Sequence, residues 1–107
     1  MTETSEVIER LYQVILSRKG GDPSTSYTAS LFDKGLSEIA RKVGEESVET
    51  MVAALGQDRE ALVSESADML YHLLVLWAAK DVTPDDVFGA LAAREGVSGI
   101  EEKASRT

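Results

Sequence analysis

Apolar residues recur at helical spacing in the first part of the chain. The first set is Val7, Ile8, Leu11, Val14 and Ile15. At 3.6 residues per turn these five side chains share one side of a helix. Arg18 and Lys19 are followed by two glycines and Pro23, a combination of basic last turn, glycine and proline that ends helices. The pattern therefore predicts an amphipathic helix that stops near residue 20.

Capping signals predict three further helices. A second apolar pattern indicates a helix over about residues 35–55, with Gly56 as its C-terminal cap. Asp58 is a suitable N-cap for a third helix, which runs to about Lys80. Thr83-Pro84-Asp85-Asp86 combines an N-cap threonine, a first-turn proline and first-turn acids, so a fourth helix starts there.

The remaining segments are polar and carry no strand signal. Residues 22–28 are rich in proline, serine and threonine and predict a loop, and the chain beyond Arg94 predicts an irregular or weakly helical tail. No segment alternates apolar and polar residues over a strand length, so the fold class is all-α. We expect four or five helices in an antiparallel bundle, in a single domain of residues 1–107 whose last part, about 96–107, is a C-terminal extension.

The charge and composition of the chain exclude several classes of binding partner and of metal site. The chain has 107 residues, with 19 acidic and 11 basic side chains, and a net charge of −8. Such a charge repels nucleic acids and anionic membrane surfaces, so neither is an expected partner. There is no cysteine, which excludes disulfides and thiolate metal sites. The N-terminus does not resemble a signal peptide and no apolar run has membrane-spanning length, so we expect a cytoplasmic protein.

The third helix carries acids on an apolar background. Between Ala61 and Ala79 apolar residues cover most of the helix circumference, which is typical of an interior helix. Glu65, Asp68 and His72 are nevertheless spaced i, i+3, i+7 and lie in one narrow stripe. Burying an unpaired carboxylate costs several kcal/mol, so an interaction must offset that cost.

Glutamates on the second helix complete a potential cation site. Glu46 and Glu49 are an i, i+3 pair, as are Glu65 and Asp68, and a glycine-containing turn lets the two helices pack antiparallel. Salt bridges, protonation or a divalent cation would each neutralise the four acids. We favour Mg²⁺, which binds carboxylates, water and phosphate oxygens. A di-iron carboxylate site needs Glu-x-x-His on two helices, and this chain has one histidine and no such motif.

These acids also match a known motif. Glu45, Glu46 and Glu49 form E-E-x-x-E, and Glu65 and Asp68 form E-x-x-D. The pair of motifs resembles the signature of the all-α nucleoside triphosphate pyrophosphohydrolase superfamily, the MazG-like group.

Other segments resemble one family within that superfamily, the phosphoribosyl-ATP pyrophosphohydrolases of histidine biosynthesis. The similar segments are Ser26–Gly35 (SYTASLFDKG), Lys42–Glu46 (KVGEE), Ala67–Leu76 (ADMLYHLLVL) and Ser98–Arg106 (SGIEEKASR). The resemblance implies Mg²⁺-dependent hydrolysis of 1-(5-phosphoribosyl)-ATP to 1-(5-phosphoribosyl)-AMP and pyrophosphate.

We assign roles to the candidate residues accordingly. Glu46, Glu49, Glu65 and Asp68 are the expected metal ligands. Glu45, the acid furthest from the apolar side of its helix, is either a further ligand or the base that activates water, and Glu49 is the second candidate catalytic residue.

The candidate substrate-binding residues precede and begin the second helix. They are Lys34 and Lys42, which carry positive charge for phosphates, and Ser26, Tyr27, Thr28 and Ser30. The latter four offer hydroxyls and, if they open a short helix, backbone N–H groups suited to a phosphate. His72 is expected to form hydrogen bonds next to the site rather than to bind metal, since oxygen-rich Mg²⁺ sites rarely use imidazole.

The sequence leaves two alternative functions open and predicts that the chain forms a dimer. A hydrolase of ordinary or damaged nucleoside triphosphates would have the same acids, and a non-catalytic helical dimerisation module would have a fortuitous acidic face. Because a few short helices cannot cover the apolar third helix on all sides, we expect a two-fold homodimer with the site near the subunit boundary.

Overall fold

The fold is entirely α-helical over the part of the chain that the computed structural model describes, residues 3–96 and 99–105. Its helices are α1 (Glu3–Ser17), α2 (Tyr27–Lys34), α3 (Leu36–Gly56), α4 (Arg59–Ala79), α5 (Pro84–Ala92) and α6 (Gly99–Ser105). The predicted all-α class is confirmed. The four helices predicted from apolar spacing and capping correspond to α1, α3, α4 and α5, and the short helix α2 was not among them. The short helix α6 lies in the tail that we expected to be irregular or weakly helical. The ends of the tail motif, Ser98 and Arg106, lie outside the described residues.

The long helices begin where their capping residues predict. The Asp58 carboxylate accepts a hydrogen bond from the Ala61 backbone N–H at 2.9 Å and starts α4. Thr83 and Asp86 form a reciprocal capping box at the start of α5. These bonds satisfy backbone donors that the first helical turn leaves without partners.

The polar segment 22–28 is only partly a loop, so that prediction is wrong at its end. Helix α2 begins at Tyr27 because the Ser26 hydroxyl oxygen accepts from the Ala29 backbone N–H at 3.0 Å. The serine that suggested a loop is the helix cap. Gly35, with φ 101°, then connects α2 directly to α3.

Helices α3 and α4 form an antiparallel hairpin, joined by only Gln57 and Asp58. The hydrophobic core lies around the C-terminal half of α4. There α1 packs against α4, and α2 packs against α3. Fully buried side chains there are Ile15, Leu31, Ile39, Leu74, Val75 and Ala78. The Tyr12 hydroxyl donates to the Val82 carbonyl at 2.6 Å and ties α1 to the connection between α4 and α5.

As expected from the small number of helices, α4 is not covered on all sides in the single chain. Its N-terminal half has exposed apolar side chains, and α3 has a matching stripe at positions i, i+3, i+4, i+7. These outer apolar residues are Val48, Met51, Val52 and Leu55 on α3 and Val63 and Leu70 on α4. In the described part of the single chain these side chains are all at least 47% exposed. Within the described ranges, no helix is both long and apolar enough to cross a membrane.

The connection between α2 and α3 depends on a glycine conformation. We expect Gly35→Ala to lower the free energy of unfolding by about 1–3 kcal/mol, because its φ of 101° and ψ of 175° suit glycine alone. Gly44→Ala is the matched control: it lies within α3, where the same change favours the helix by up to about 1 kcal/mol. An added Cβ meets no atom within 4 Å at either position. Urea unfolding measures both, and equal effects would contradict a backbone origin.

Candidate metal and substrate site

Five carboxylates converge on the side of the α3–α4 hairpin that faces α2. Glu45, Glu46 and Glu49 form one group in which one oxygen from each lies within 4.8 Å of the others, and Glu46, Glu65 and Asp68 form a second such group. Glu46 belongs to both groups. The structure thus brings together the two i, i+3 pairs that the sequence places on facing helices.

The cluster has a buried base and an exposed rim. Glu46 is 6% exposed and Glu65 is half-buried, whereas Glu49 and Asp68 are exposed. Glu46 Oε1 and Glu65 Oε1 are buried and receive no hydrogen bond from any described residue. A buried carboxylate oxygen without a donor is costly, whereas a hard divalent cation would satisfy both atoms. The residues present therefore fit an oxygen-coordinated metal ion.

Glu46 and Glu65, the two inner acids at the base of the cluster, resist ionisation in the absence of a cation. Burial raises the pKa of Glu46 above its ordinary value, and the nearby Glu49 carboxylate raises it further. Burial likewise raises the pKa of Glu65, again with the Glu49 charge as the next contribution. Loss of solvation and repulsion between like charges both disfavour the charged form.

Glu45 has the opposite environment. Lys42 Nζ donates to its Oε1 at 2.6 Å, and Arg41 Nη1 donates to its Oε2 at 3.2 Å. These hydrogen bonds lower the pKa of Glu45 below its ordinary value. A carboxylate held ionised by two cations has little tendency to take up a proton near neutral pH, so its geometry does not favour the water-activating role.

Thr50 connects the two inner acids through the backbone, and sequence reasoning missed it. Its Oγ1 lies 2.8 Å from the Glu46 carbonyl oxygen and 3.2 Å from the Glu65 carbonyl oxygen. One hydroxyl therefore bridges the acid-bearing turns of α3 and α4. The available signal was its position four residues after Glu46, where a threonine hydroxyl reaches the carbonyl of the preceding turn.

The four candidate residues at the start of α2 all form hydrogen bonds within the chain. Ser26 caps the helix, and the Ser30 hydroxyl donates to the Tyr27 carbonyl at 2.6 Å. The Thr28 hydroxyl is hydrogen-bonded to the Tyr71 hydroxyl. The Tyr27 hydroxyl lies 2.7 Å from His72 Nε2. Two adjacent residues of α2 are thus held by two adjacent residues of α4.

The two candidate lysines lie in different places. Lys42 is half-buried at the cluster, with Nζ 4.0 Å from Glu46 Oε2 in addition to its bond with Glu45. Lys34 is exposed in the last turn of α2, and its charge contributes to the lowered pKa of Glu38. Lys42 therefore adjoins the carboxylates directly, whereas Lys34 lies near Glu38 in the first turn of α3.

Comparison with known proteins identifies the family. Residues 8–95 match the family model described as phosphoribosyl-ATP pyrophosphohydrolase. The chain belongs to this family. It is 58% identical over 106 residues to a phosphoribosyl-ATP pyrophosphatase of Paramagnetospirillum magneticum, covering 99% of this chain and 97% of that protein.

Other relatives carry the same name. The chain is 58% identical over 107 residues to the phosphoribosyl-ATP pyrophosphatase of a Caulobacter strain, and 50% identical over 106 residues to that of Geobacter sulfurreducens. Each alignment covers 99% of this chain and 98% of the relative. The resemblance inferred from the motifs is confirmed, as is the expected class of enzyme, a hydrolase.

Replacing the inner acids, Glu46 and Glu65, should have the opposite effect on the stability of the fold from replacing Glu45, which is paired with two cations. In chelator-treated protein the double variant Glu46→Gln/Glu65→Gln should melt at a higher temperature than the wild type at about pH 8, because it removes two charges that the fold disfavours. Glu45→Gln should melt at a lower temperature, because it removes a carboxylate that Lys42 and Arg41 stabilise.

The pH dependence has a defined sign for each variant. Folded-state pKa values above 4.5 mean that the penalty from Glu46 and Glu65 develops as the pH rises above about 4.5, so the gain of the double variant should shrink on acidification. The lowered pKa of Glu45 means that its contribution is complete at neutral pH and disappears as the pH falls through the acidic range. Thermal melts from about pH 3 to pH 8 measure both differences, and differences that stay constant over this whole range would contradict the assignment.

Proposed function

We propose that this chain hydrolyses 1-(5-phosphoribosyl)-ATP to 1-(5-phosphoribosyl)-AMP and pyrophosphate in the cytoplasm, as the second step of histidine biosynthesis. The observation that carries the proposal is the pair of buried carboxylate oxygens, on Glu46 and Glu65, that lack a donor at the base of an acidic cluster. Membership of the pyrophosphohydrolase family supports the substrate.

Mg²⁺ is the proposed cofactor, and Glu46, Glu49, Glu65 and Asp68 are the residues that would hold it. Their donors are all carboxylate oxygens, the ligands that this ion prefers in proteins. When bound, the ion would neutralise the charge that develops on the pyrophosphate leaving group.

Glu49 is the carboxylate that we propose to accept the proton of the attacking water. The water oxygen forms a bond to the α-phosphorus. The bond between this phosphorus and the oxygen that bridges to the β-phosphate breaks, and pyrophosphate leaves with its electron pair. Glu49 lies at the exposed rim, where water has access. Glu45, the other candidate base, is engaged by Lys42 and Arg41; we propose that it orients Lys42 and adds negative charge to the cluster.

Lys42 and the first turn of α2 are the proposed phosphate-binding elements. Lys42 adjoins the carboxylates and can exchange its bond to Glu45 for a bond to a phosphate oxygen. The helix N-terminus after Ser26 points backbone N–H groups toward an incoming anion. Lys34, exposed at the other end of α2, supplies additional positive potential.

The activity test is pyrophosphate release from phosphoribosyl-ATP with millimolar Mg²⁺. We expect Glu49→Gln to reduce kcat by roughly 100-fold or more, the range for loss of a general base. Glu60→Gln is the matched control, since it makes the same change in the first turn of α4 and should leave the rate unchanged. Equal rates for wild type and Glu49→Gln would contradict the mechanism. Equally fast turnover of deoxynucleoside triphosphates would favour the house-cleaning alternative.

We further propose that two copies of the chain form a homodimer through the outer apolar residues. Met51 and Leu55 are 56% and 91% exposed in the single chain, and Val63 is 55% exposed on the neighbouring helix. A second α3–α4 hairpin would cover them and form a four-helix arrangement about a two-fold axis. Since Glu49 lies between Val48 and Met51 in the sequence, the cluster would then adjoin the subunit boundary.

Sedimentation at micromolar concentration tests the assembly. The wild type should sediment as a dimer, and Val52→Glu should shift it to monomer, because it places a charge among the outer apolar residues. Val14→Glu is the control, since Val14 on α1 is also exposed but lies outside that surface. A monomeric wild type, or equal effects of the two substitutions, would contradict the proposal.

A further inference from the structure

Thr50 on α3 and Glu65 on α4 lie at the same level of the helical hairpin. Thr50 is seven residues before Gln57 and Glu65 is seven residues after Asp58, and these two residues alone join the antiparallel helices. The Thr50 hydroxyl oxygen lies 3.2 Å from the Glu65 carbonyl oxygen across the hairpin, and 2.8 Å from the Glu46 carbonyl oxygen on its own helix. One hydroxyl thus contacts the backbone of both helices.

The two helices do not need this hydroxyl to complete their own hydrogen bonds. Inside an α-helix each carbonyl oxygen accepts from the backbone N–H four residues later, and both Glu46 and Glu65 lie inside their helices. A carbonyl oxygen has two lone pairs and can accept a second hydrogen bond. Because both neighbours are acceptors, the hydroxyl donates and shares its single hydrogen between them. Its contribution is therefore a link between the helices.

The threonine side chain is suited to hold that link. Its branched Cβ leaves few χ1 rotamers in a helix, and the bond to the Glu46 carbonyl holds one of them. Thr50 is half-buried between the helices. The Ser47 hydroxyl, by contrast, donates to the Gly44 carbonyl at 2.8 Å within α3. Of these two hydroxyls on α3, that of Thr50 reaches α4.

The two residues joined by Thr50 are also the two whose buried carboxylate oxygens lack donors. These atoms are Glu46 Oε1 and Glu65 Oε1, and their residues belong with Asp68 to one group of potential metal ligands. Each carboxylate is attached to the backbone of its own helix. The separation of the two backbones at this level therefore limits the separation of the two carboxylates.

We propose that Thr50 is a positioning residue that fixes the spacing of Glu46 and Glu65 and makes the site prefer Mg²⁺ to the larger Ca²⁺. Mg²⁺ requires near-ideal octahedral geometry with oxygens at about 2.0–2.1 Å, whereas Ca²⁺ accepts flexible geometry at about 2.3–2.6 Å. Loosening the link between the helices therefore weakens Mg²⁺ binding more than Ca²⁺ binding. This inference rests on the proposed function, because Mg²⁺ is its proposed cofactor.

Separate calorimetric titrations of Mg²⁺ and Ca²⁺ into chelator-treated protein test the proposal. Thr50→Val keeps the shape of the side chain but removes the hydroxyl. It should weaken Mg²⁺ binding by roughly 3- to 10-fold and Ca²⁺ binding by less than about 2-fold. Thr50→Ser keeps the hydroxyl and should retain both affinities. Ser47→Ala is the matched control, since it removes a hydroxyl bond within α3 and should leave both affinities unchanged.

The ratio of the two dissociation constants distinguishes positioning from a general loss of stability, which would weaken the binding of both ions alike. An unchanged ratio in Thr50→Val, a Thr50→Ser variant that behaves like Thr50→Val, or an equal effect of Ser47→Ala would overturn the proposal. A wild type that binds Ca²⁺ as tightly as Mg²⁺ would also overturn it. Circular dichroism verifies that each variant folds. If Thr50→Val does not, Thr50→Ala, which favours the helix, takes its place.

The outcomes also separate this inference from the proposed function. If the wild type binds no Mg²⁺, the proposed metal site and the role of Thr50 fail together. If the wild type binds Mg²⁺ but does not hydrolyse phosphoribosyl-ATP, the proposed function fails, while the ratio of the dissociation constants still decides the role of Thr50. If the wild type hydrolyses the substrate and the ratio is unchanged in Thr50→Val, this inference alone fails.

Discussion

Two carboxylate oxygens without hydrogen-bond donors, on Glu46 and Glu65, are the feature around which the described part of this protein is organised. A chain selected for stability alone would have amides or apolar side chains at these positions, because buried charges without partners oppose folding. A bound cation would supply the missing interactions while both acids stay ionised. The α3–α4 hairpin therefore holds its acids in a geometry that the apo protein tolerates and a divalent ion would stabilise.

The positive charges near the cluster are distributed unequally. Arg41 and Lys42 are on the same helix as the acids, and both donate to Glu45 rather than to the inner pair. Glu45 is consequently paired with two cations, whereas Glu46 has one longer ion pair with Lys42, and one oxygen each of Glu46 and Glu65 has no hydrogen-bond donor among the described residues. If Lys42 turned to a phosphate, Glu45 would keep its bond to Arg41, whereas the buried Glu46 would lose its 4.0 Å ion pair with Lys42.

The connections around the hairpin place α2 beside the acids. Gly35 allows α2 to pass directly into α3, and the Tyr27–His72 and Thr28–Tyr71 contacts attach the start of α2 to α4. Thr50 links the backbones of the acid-bearing turns. The start of α2 is thus attached beside the cluster of carboxylates, although the two are separated in the sequence.

Local signals in the sequence predicted the features that depend on neighbouring residues. Helix boundaries at Asp58 and Thr83 followed from capping chemistry, and the i, i+3 spacing placed each pair of acids on one helix face. The start of α2 was missed because a serine before a short helix resembles a serine in a loop. The pairing of Glu45 with Lys42 and the His72–Tyr27 bond were not predicted, because rotamers and contacts between helices decide them. The incomplete covering of α4 was expected from the small number of helices, but the particular exposed residues, Val63 and Leu70, depend on how the helices pack.

Calorimetric titration of Mg²⁺ into the chelator-treated protein tests the central claim most directly. The account predicts that the wild type binds Mg²⁺ at millimolar concentration or below, and that Glu46→Gln/Glu65→Gln does not bind it although the variant remains folded. A wild type that shows no binding heat in the same range, or a double variant that binds as tightly as the wild type, would contradict it.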